Sequence, residues 1–250
     1  MYALDAKTGA QLWSYTTDSS VYSSPTVANG VVYIGSDDFN LYALDAKTGA
    51  KVWSYPVAVS SSPAVAGGVV YAYASDSNLY ALDAKTGAEP WNFNIGGESD
   101  SSPSLADGVV YVGGAKVYAL KASTGALLWA YQTAFGDPSG SSPAVAHGVV
   151  YVAATVDIQH NHQGLYALDA RTGAKLWSNH LLYYGDSPAV ANGVVYATSN
   201  QRVYALNART GAKLWTYKNM PSDFLIYASV SNGMLYVGDG RYGQFAFGLK

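Results

Sequence analysis

MYALDAKTGAQLW, Met1–Trp13, is a phrase that this chain repeats. Close copies run over Tyr42–Trp53, Tyr80–Trp91, Tyr118–Trp129, Tyr166–Trp177 and Tyr204–Trp215. The opening tyrosines are spaced by 40, 38, 38, 48 and 38 residues, and a degenerate seventh start, QFAFGLK, places Phe245 another 41 residues on. A period near 40 suits a unit of four short strands with their turns. One unit reads as Ser142–Ala146, a His147-Gly148 turn, Val149–Val152, a loop, Leu165–Ala170, an Arg171–Gly173 turn and Lys175–Ser178. The β-branched and aromatic runs between turn signals make each unit an antiparallel meander of strands A, B, C and D, and repeated meanders read as propeller blades.

Residue types give the same count. Tyr33, Tyr71, Tyr111, Tyr151, Tyr196 and Tyr236 mark strand B, and the six Trp mark strand D. Six A strands begin near Ser24, Ser62, Ser102, Ser142, Ser187 and Tyr227, whereas strand C has seven candidates. The expected fold is therefore all-β: a six-bladed β-propeller of four-stranded antiparallel blades. It forms a single domain over 1–250, with blades at 18–56, 57–96, 97–134, 135–182, 183–220 and 221–250 plus 1–17. The last blade would take strands A, B and C from Ile226–Ser231, Met234–Asp239 and Phe245–Leu249. Its strand D would come from Gln11–Tyr15, which closes the ring and removes its open edges. Tyr2–Asp5 and Phe245–Leu249 then compete for one strand C position; the C-terminal strand is expected to win and leave Met1–Asp5 displaced or paired with another molecule.

Composition narrows the function classes. Half of the residues are hydrophobic, 12% are charged and 22 are Tyr, as in a globular protein with a large core. The net charge of −3 carries no nucleic-acid footprint. There is no Cys, which excludes disulfides, Cys-ligated zinc, iron–sulfur clusters and c-type haem attachment. No apolar run has transmembrane length, and Met1 leads into a repeat rather than a signal peptide.

The repeated phrase resembles the A-x-D-x-x-T-G-x-x-x-W tryptophan-docking motif of PQQ-like (quinoprotein-type) β-propeller repeats. Ala3, Asp5, Thr8, Gly9 and Trp13 fit it fully, as do the sets ending at Trp53, Trp91 and Trp177; Lys121 and Asn207 replace the Asp before Trp129 and Trp215. The resemblance implies a structural role: Trp13, Trp53, Trp91, Trp129, Trp177 and Trp215 pack between blades against Gly9, Gly49, Gly87, Gly125, Gly173 and Gly211. Residue chemistry agrees. Trp brings a large apolar area and one N–H that needs a partner, Gly a bare peptide, and Asp and Thr local bonds to the turn. Lys121, unable to accept such bonds, is expected to weaken its own turn.

Quinoprotein dehydrogenases of this resemblance hold PQQ and calcium over eight blades in a longer chain with a vicinal disulfide. Its non-catalytic, BamB-like relatives are extracytoplasmic. Without Cys or a nucleophile elbow, this chain is expected to be no enzyme and to hold no cofactor. The expected function is a monomeric module or scaffold that binds a protein, peptide or carbohydrate. PQQ and calcium binding stays as one alternative, and a recently amplified, truncated or engineered scaffold without a specific ligand as another.

Strand direction sorts the loops onto two faces. The A–B and C–D turns share one face, with Lys7, Lys47, Lys85, Arg171 and Arg209 in its turns. The B–C and D–A loops share the other, with 11 of the 17 acids, from Asp18, Asp37, Asp38 and Asp76 through Asp223 and Asp239. Here the repeats diverge. The B-to-C spacing is 9, 9, 7, 15, 8 and 9, so the fourth blade carries an insertion, ATVDIQHNHQG. Loops on a rigid scaffold carry function, so the ligand-binding candidates are Tyr22, Asp100, Phe135, Asp157, His160, His162, Tyr184, Asp186 and Tyr227. His160-x-His162 beside Asp157 lacks a firm third ligand, and no metal is expected. The Ser-Ser-Pro triplets at blade starts read as backbone punctuation.

Overall fold

The structure, a computed structural model, describes residues 1–97, 101–133, 141–157, 162–183, 187–199, 201–218, 225–239 and 243–248. Side chains at 155–157, 162–163, 182–183, 225–227, 239 and 243–244 are excepted. The described residues form 25 strands and no helix, so no helix is long and apolar enough to cross a membrane.

The strands fall into seven antiparallel sheets. β1 (Tyr2–Leu4) and β2 (Gln11–Ser14) form a two-stranded sheet. Five four-stranded sheets follow in chain order. They are β3–β6 (Thr26–Ala28, Val31–Ser36, Asn40–Asp45, Lys51–Tyr55), β7–β10 (Ala64–Ala66, Val69–Tyr73, Asn78–Asp83, Trp91–Asn94) and β11–β14 (Ser104–Ala106, Val109–Gly113, Val117–Lys121, Leu127–Tyr131). Next come β15–β18 (Ala144–Ala146, Val149–Asp157, His162–Asp169, Lys175–Tyr183) and β19–β22 (Ala189–Ala191, Val194–Ser199, Arg202–Asn207, Lys213–Tyr217). β23 (Leu225–Ser231), β24 (Met234–Asp239) and β25 (Gly243–Gly248) make a three-stranded sheet.

Local chemistry explains the meander. At each A–B connection two residues adopt the left-handed conformation, as Asn29 (φ 50°) and Gly30 (φ 78°) do. Paired positive φ values define the tight hairpin turn whose twist matches the strands, and Asn-Gly favours it. Strands B and C are then buried on both faces, as in β4 and β5. Their alternating side chains feed two different cores. Val32 and Ile34 pack with Trp13 on one side of their sheet, while Tyr33 packs with Val70, Ala72 and Leu82 on the other. Each junction between successive sheets is thus its own apolar core, and the blades are held face to face.

The pairing of the end strands differs from the expectation. Five blades are complete, and the strands expected to form a sixth are divided between the end sheets, with a strand C in each. Tyr2–Leu4 is not displaced: it pairs with β2 in the register Tyr2↔Ser14 and Ala3↔Trp13. β25 pairs with β24 from Met234↔Gly248 to Asp239↔Gly243. Among the described residues no ladder joins β2 to β25. The physical reason is locality. A short turn links β1 to β2, and the Asp5 N–H bonds the Ala10 carbonyl at 2.8 Å. The Met1 ammonium also donates to the Tyr15 carbonyl at 2.8 Å. That small loop costs far less entropy to close than a contact spanning the chain.

Candidate functional site

The C–D turn recurs with nearly constant geometry. Asp5 Oδ1 accepts from Lys7 N–H at 3.0 Å, Thr8 N–H at 2.8 Å and Thr8 Oγ1–H at 2.8 Å, and Thr8 Oγ1 accepts from Ala10 N–H at 3.3 Å. Asp45, Asp83 and Asp169 repeat the set. The threonine hydroxyl first, then the backbone N–H groups, hold these carboxyls below the usual range. Asn207 keeps the same three partners through its amide oxygen, at 3.0 to 3.1 Å. Lys121 keeps only backbone bonds: its carbonyl accepts from Thr124 N–H at 3.1 Å and Gly125 N–H at 2.9 Å.

Lys121→Asp is therefore expected to raise the melting temperature by a few degrees at pH 7. A carboxyl whose folded pKa is depressed stabilises above its unfolded pKa and loses that contribution as pH falls through the folded value. The gain should fade on acidification below about pH 4. Thermal denaturation across pH checks both points; a lower melting temperature at pH 7 would count against this account of the turn.

The turn also receives the neighbouring blade. Trp53 Nε1–H and Tyr33 O–H, from one blade, both donate to the Ala84 carbonyl of the next, each at 3.0 Å. The same pair of donors converges on Ala122 (Tyr71, Trp91), Ala170 (Tyr111, Trp129) and Ala208 (Tyr151, Trp177). The two lone pairs of each carbonyl are thereby used, and the rings lie about 5.9 Å apart, as for Tyr33 and Trp53. The indole covers the turn glycine so closely that a β-carbon at Gly87 would stand 2.9 Å from Trp53 Cδ2. Trp13 covers Gly49 likewise and donates to Ala46. At the chain's ends the pattern stops. Nothing lies within 4 Å of a β-carbon at Gly9, and Trp215 is 37% exposed.

The serines do more than punctuate. In each Ser-Ser-Pro the first serine ties down its own blade: Ser23 Oγ accepts from Gly35 N–H at 2.8 Å, and Ser61 Oγ accepts from Tyr73 N–H at 3.1 Å. The second links blades. Ser24 N–H donates to Ser62 Oγ, Ser62 N–H to Ser102 Oγ, Ser102 N–H to Ser142 Oγ and Ser142 N–H to Ser187 Oγ, all at 2.9 Å. A hydrogen-bonded belt runs from blade to blade along the A strands. The sequence reading missed it, although the alignment of the triplets was the available signal.

On the loop face, aromatic seams join strand D of one blade to strand C of the next. Tyr15 meets Tyr42 with ring centroids 5.5 Å apart, and Tyr55 meets Tyr80 at 5.6 Å. Tyr42 O–H donates to Asp38 Oδ2 at 2.9 Å, and Tyr80 O–H donates to Asp76 Oδ2 at 2.5 Å. Burial, then these carboxylates, pushes both phenols up to about 12. Burial alone would raise Asp38; the bonds from Tyr42, Asn40 and the Asp18 N–H outweigh it and hold it low. These acids are structural anchors of the B–C turns.

The fourth-blade insertion lengthens the sheet itself. β16, β17 and β18 have nine, eight and nine residues, against six or fewer in each counterpart among the other complete blades. The hairpin ends with Asp157 opposite His162. Tyr22 is exposed in the D–A connection before β3. Tyr227 lies in β23, where backbone alone is described. Asp100, Phe135, His160, Tyr184 and Asp186 lie outside the described residues. Among the described residues no three His, Asp or Glu side chains gather as metal ligands do.

Radial four-stranded blades, joined by indoles over repeated glycine turns, define a β-propeller of PQQ-like repeats. The family model described as outer membrane protein assembly factor BamB matches residues 1–102, 75–183 and 162–246. The chain belongs to that family. Among solved structures it is similar to BamB from Moraxella catarrhalis, with 22% identity over 96% of this chain and 77% of that one, at a TM-score of 0.79. The computationally designed Ika8 protein also gives a TM-score of 0.79, with 16% identity over 97% of this chain and 75% of that one. Quinohemoprotein alcohol dehydrogenase ADHIIG from Pseudomonas putida HK5 gives 0.59, with 16% identity over 94% and 66%. At these identities the structures show the fold alone. No curated protein matches the chain.

Proposed function

We propose that the chain is a non-enzymatic, extracytoplasmic scaffold that binds a protein partner through its B–C and D–A loop face, as part of outer-membrane protein assembly. The observation that carries this is the extended sheet of the fourth blade. The C–D turns, indoles and serine belt are consumed in joining blades and leave little to distinguish one blade from another. The lengthened β16–β17 hairpin gives one blade a distinct edge on the loop face, where a scaffold presents specificity. Asp157, His160 and His162, with Tyr184 and Asp186 after β18, are the proposed contact residues there. Tyr22, Asp100, Phe135 and Tyr227 are proposed as further contact residues of the same partner.

The proposed partner is another component of outer-membrane protein assembly, a reading supported by the assembly factor that gives the family its name. Shortening 157–163 to a two-residue turn is expected to weaken binding of purified assembly components at least tenfold while the melting temperature holds. Unchanged binding would refute the choice of face.

The quinoprotein reading has a dehydrogenase among its structural neighbours. Calcium in such a site requires a set of oxygen ligands rich in carboxylates, and the described residues offer no such group. The expectation is therefore that saturating PQQ with calcium leaves the melting temperature unchanged; a rise would favour the quinoprotein reading.

A further inference from the structure

Lys121 sits beside a cleft of about 710 Å³ on the turn face, between the β7–β10 and β11–β14 blades. Val69, Tyr71, Leu105 and Val109 line it with apolar surface, and Asp107 and Lys121 supply its charges. The volume is in the range of small-molecule pockets, roughly 300–1,000 Å³. The sister turns hold Asp5, Asp45, Asp83, Asp169 or Asn207 where this one holds Lys121. A carboxylate there would repel an anion in the cleft; the lysine attracts one. Lys121 gives up the side-chain bonds that steady the other turns, and among the described residues it has no carboxylate partner. A cation in place of the turn-bonding carboxylate, next to an apolar cleft, gives this blade an anion-attracting feature that the sister turns lack.

We propose that this cleft binds an apolar monocarboxylate of the fatty-acid type, its chain against Val69, Leu105 and Val109 and its head group on Lys121. Asp107 disfavours polyanions by like-charge repulsion, so a single negative charge fits best. An exposed ion pair contributes little on its own, and chain burial supplies most of the affinity. Tyr71 O–H is already committed to the Ala122 carbonyl at 3.0 Å and serves as wall.

Calorimetric titration of the full chain with octanoate, decanoate and dodecanoate tests this. Saturable one-to-one binding is expected, tightening about fourfold per added methylene until the cleft is full. Lys121→Asp, which exchanges attraction for repulsion, should weaken dodecanoate about fivefold while raising the melting temperature, which separates lost binding from lost folding. Lys121→Gln, which removes only the charge, should weaken it less, and Lys121→Arg should retain it. Absence of saturable dodecanoate binding, or binding indifferent to Lys121→Asp and Lys121→Gln, overturns the proposal.

Discussion

Gly87→Ala is expected to cost roughly 3 kcal/mol, whereas Gly9→Ala costs about 1 kcal/mol. The two glycines share a backbone: φ is +72° at Gly87 and +71° at Gly9, both in the left-handed region that penalises a β-carbon. Their surroundings differ. A β-carbon at Gly87 meets Trp53 Cδ2 at 2.9 Å and Cε3 at 3.0 Å, while one at Gly9 meets nothing within 4 Å. Trp53 cannot retreat without breaking its bond to Ala84 and disturbing the junction core that holds Tyr33, Val70 and Leu82. The pair isolates packing from backbone strain. In a chain of this size the two variants should differ by about 4–8 °C in melting temperature. Equal losses would mean that the indole does not press on the turn.

This contrast also shows why much of the fold was legible. The junctions reuse the same residue types at the same spacing, so reading one blade reads its siblings. Asn29-Gly30 and its counterparts announce their turns because few other residue pairs accept two positive φ values. Partners remote in sequence were harder to see. Ser24 finds Ser62, and Ser142 finds Ser187, 38 and 45 residues away. Nothing inside a single Ser-Ser-Pro distinguishes a bond to another blade from a local turn. The place of Tyr2–Leu4 was misread for a related reason. Counting strands favours one shared blade, but the count is silent on the short Asp5–Gly9 turn that keeps β1 on β2. The candidate site was legible only as a place. An insertion in the fourth blade can be read from spacing, yet spacing does not reveal that the added residues lengthen β16, β17 and β18. Which side chains share a surface there depends on loop conformation, which the repeats do not encode.

The second large effect concerns the shared carbonyl. Trp53→Ala is expected to cost about 3–5 kcal/mol, because it empties the centre of a junction core. Trp215→Ala should cost much less, since its ring is already 37% exposed and none of its counterpart bonds to an alanine carbonyl is made among the described residues. Conservative variants then separate the hydrogen bonds from the volume. Trp53→Phe leaves the Ala84 carbonyl with Tyr33 O–H, and Tyr33→Phe leaves it with the indole N–H. Neither single change orphans a buried acceptor, so each should remove only one net hydrogen bond, about 1 kcal/mol beyond any change in packing. The double variant strips the carbonyl of both side-chain donors, and its desolvation then goes uncompensated. The double-mutant cycle should therefore show a loss about 1 kcal/mol greater than the sum of the singles. Thermal and denaturant unfolding of the four proteins measures it. A strictly additive cycle would show that the second donor is redundant, and that the blades are held by the indole's area rather than by the bonds it shares.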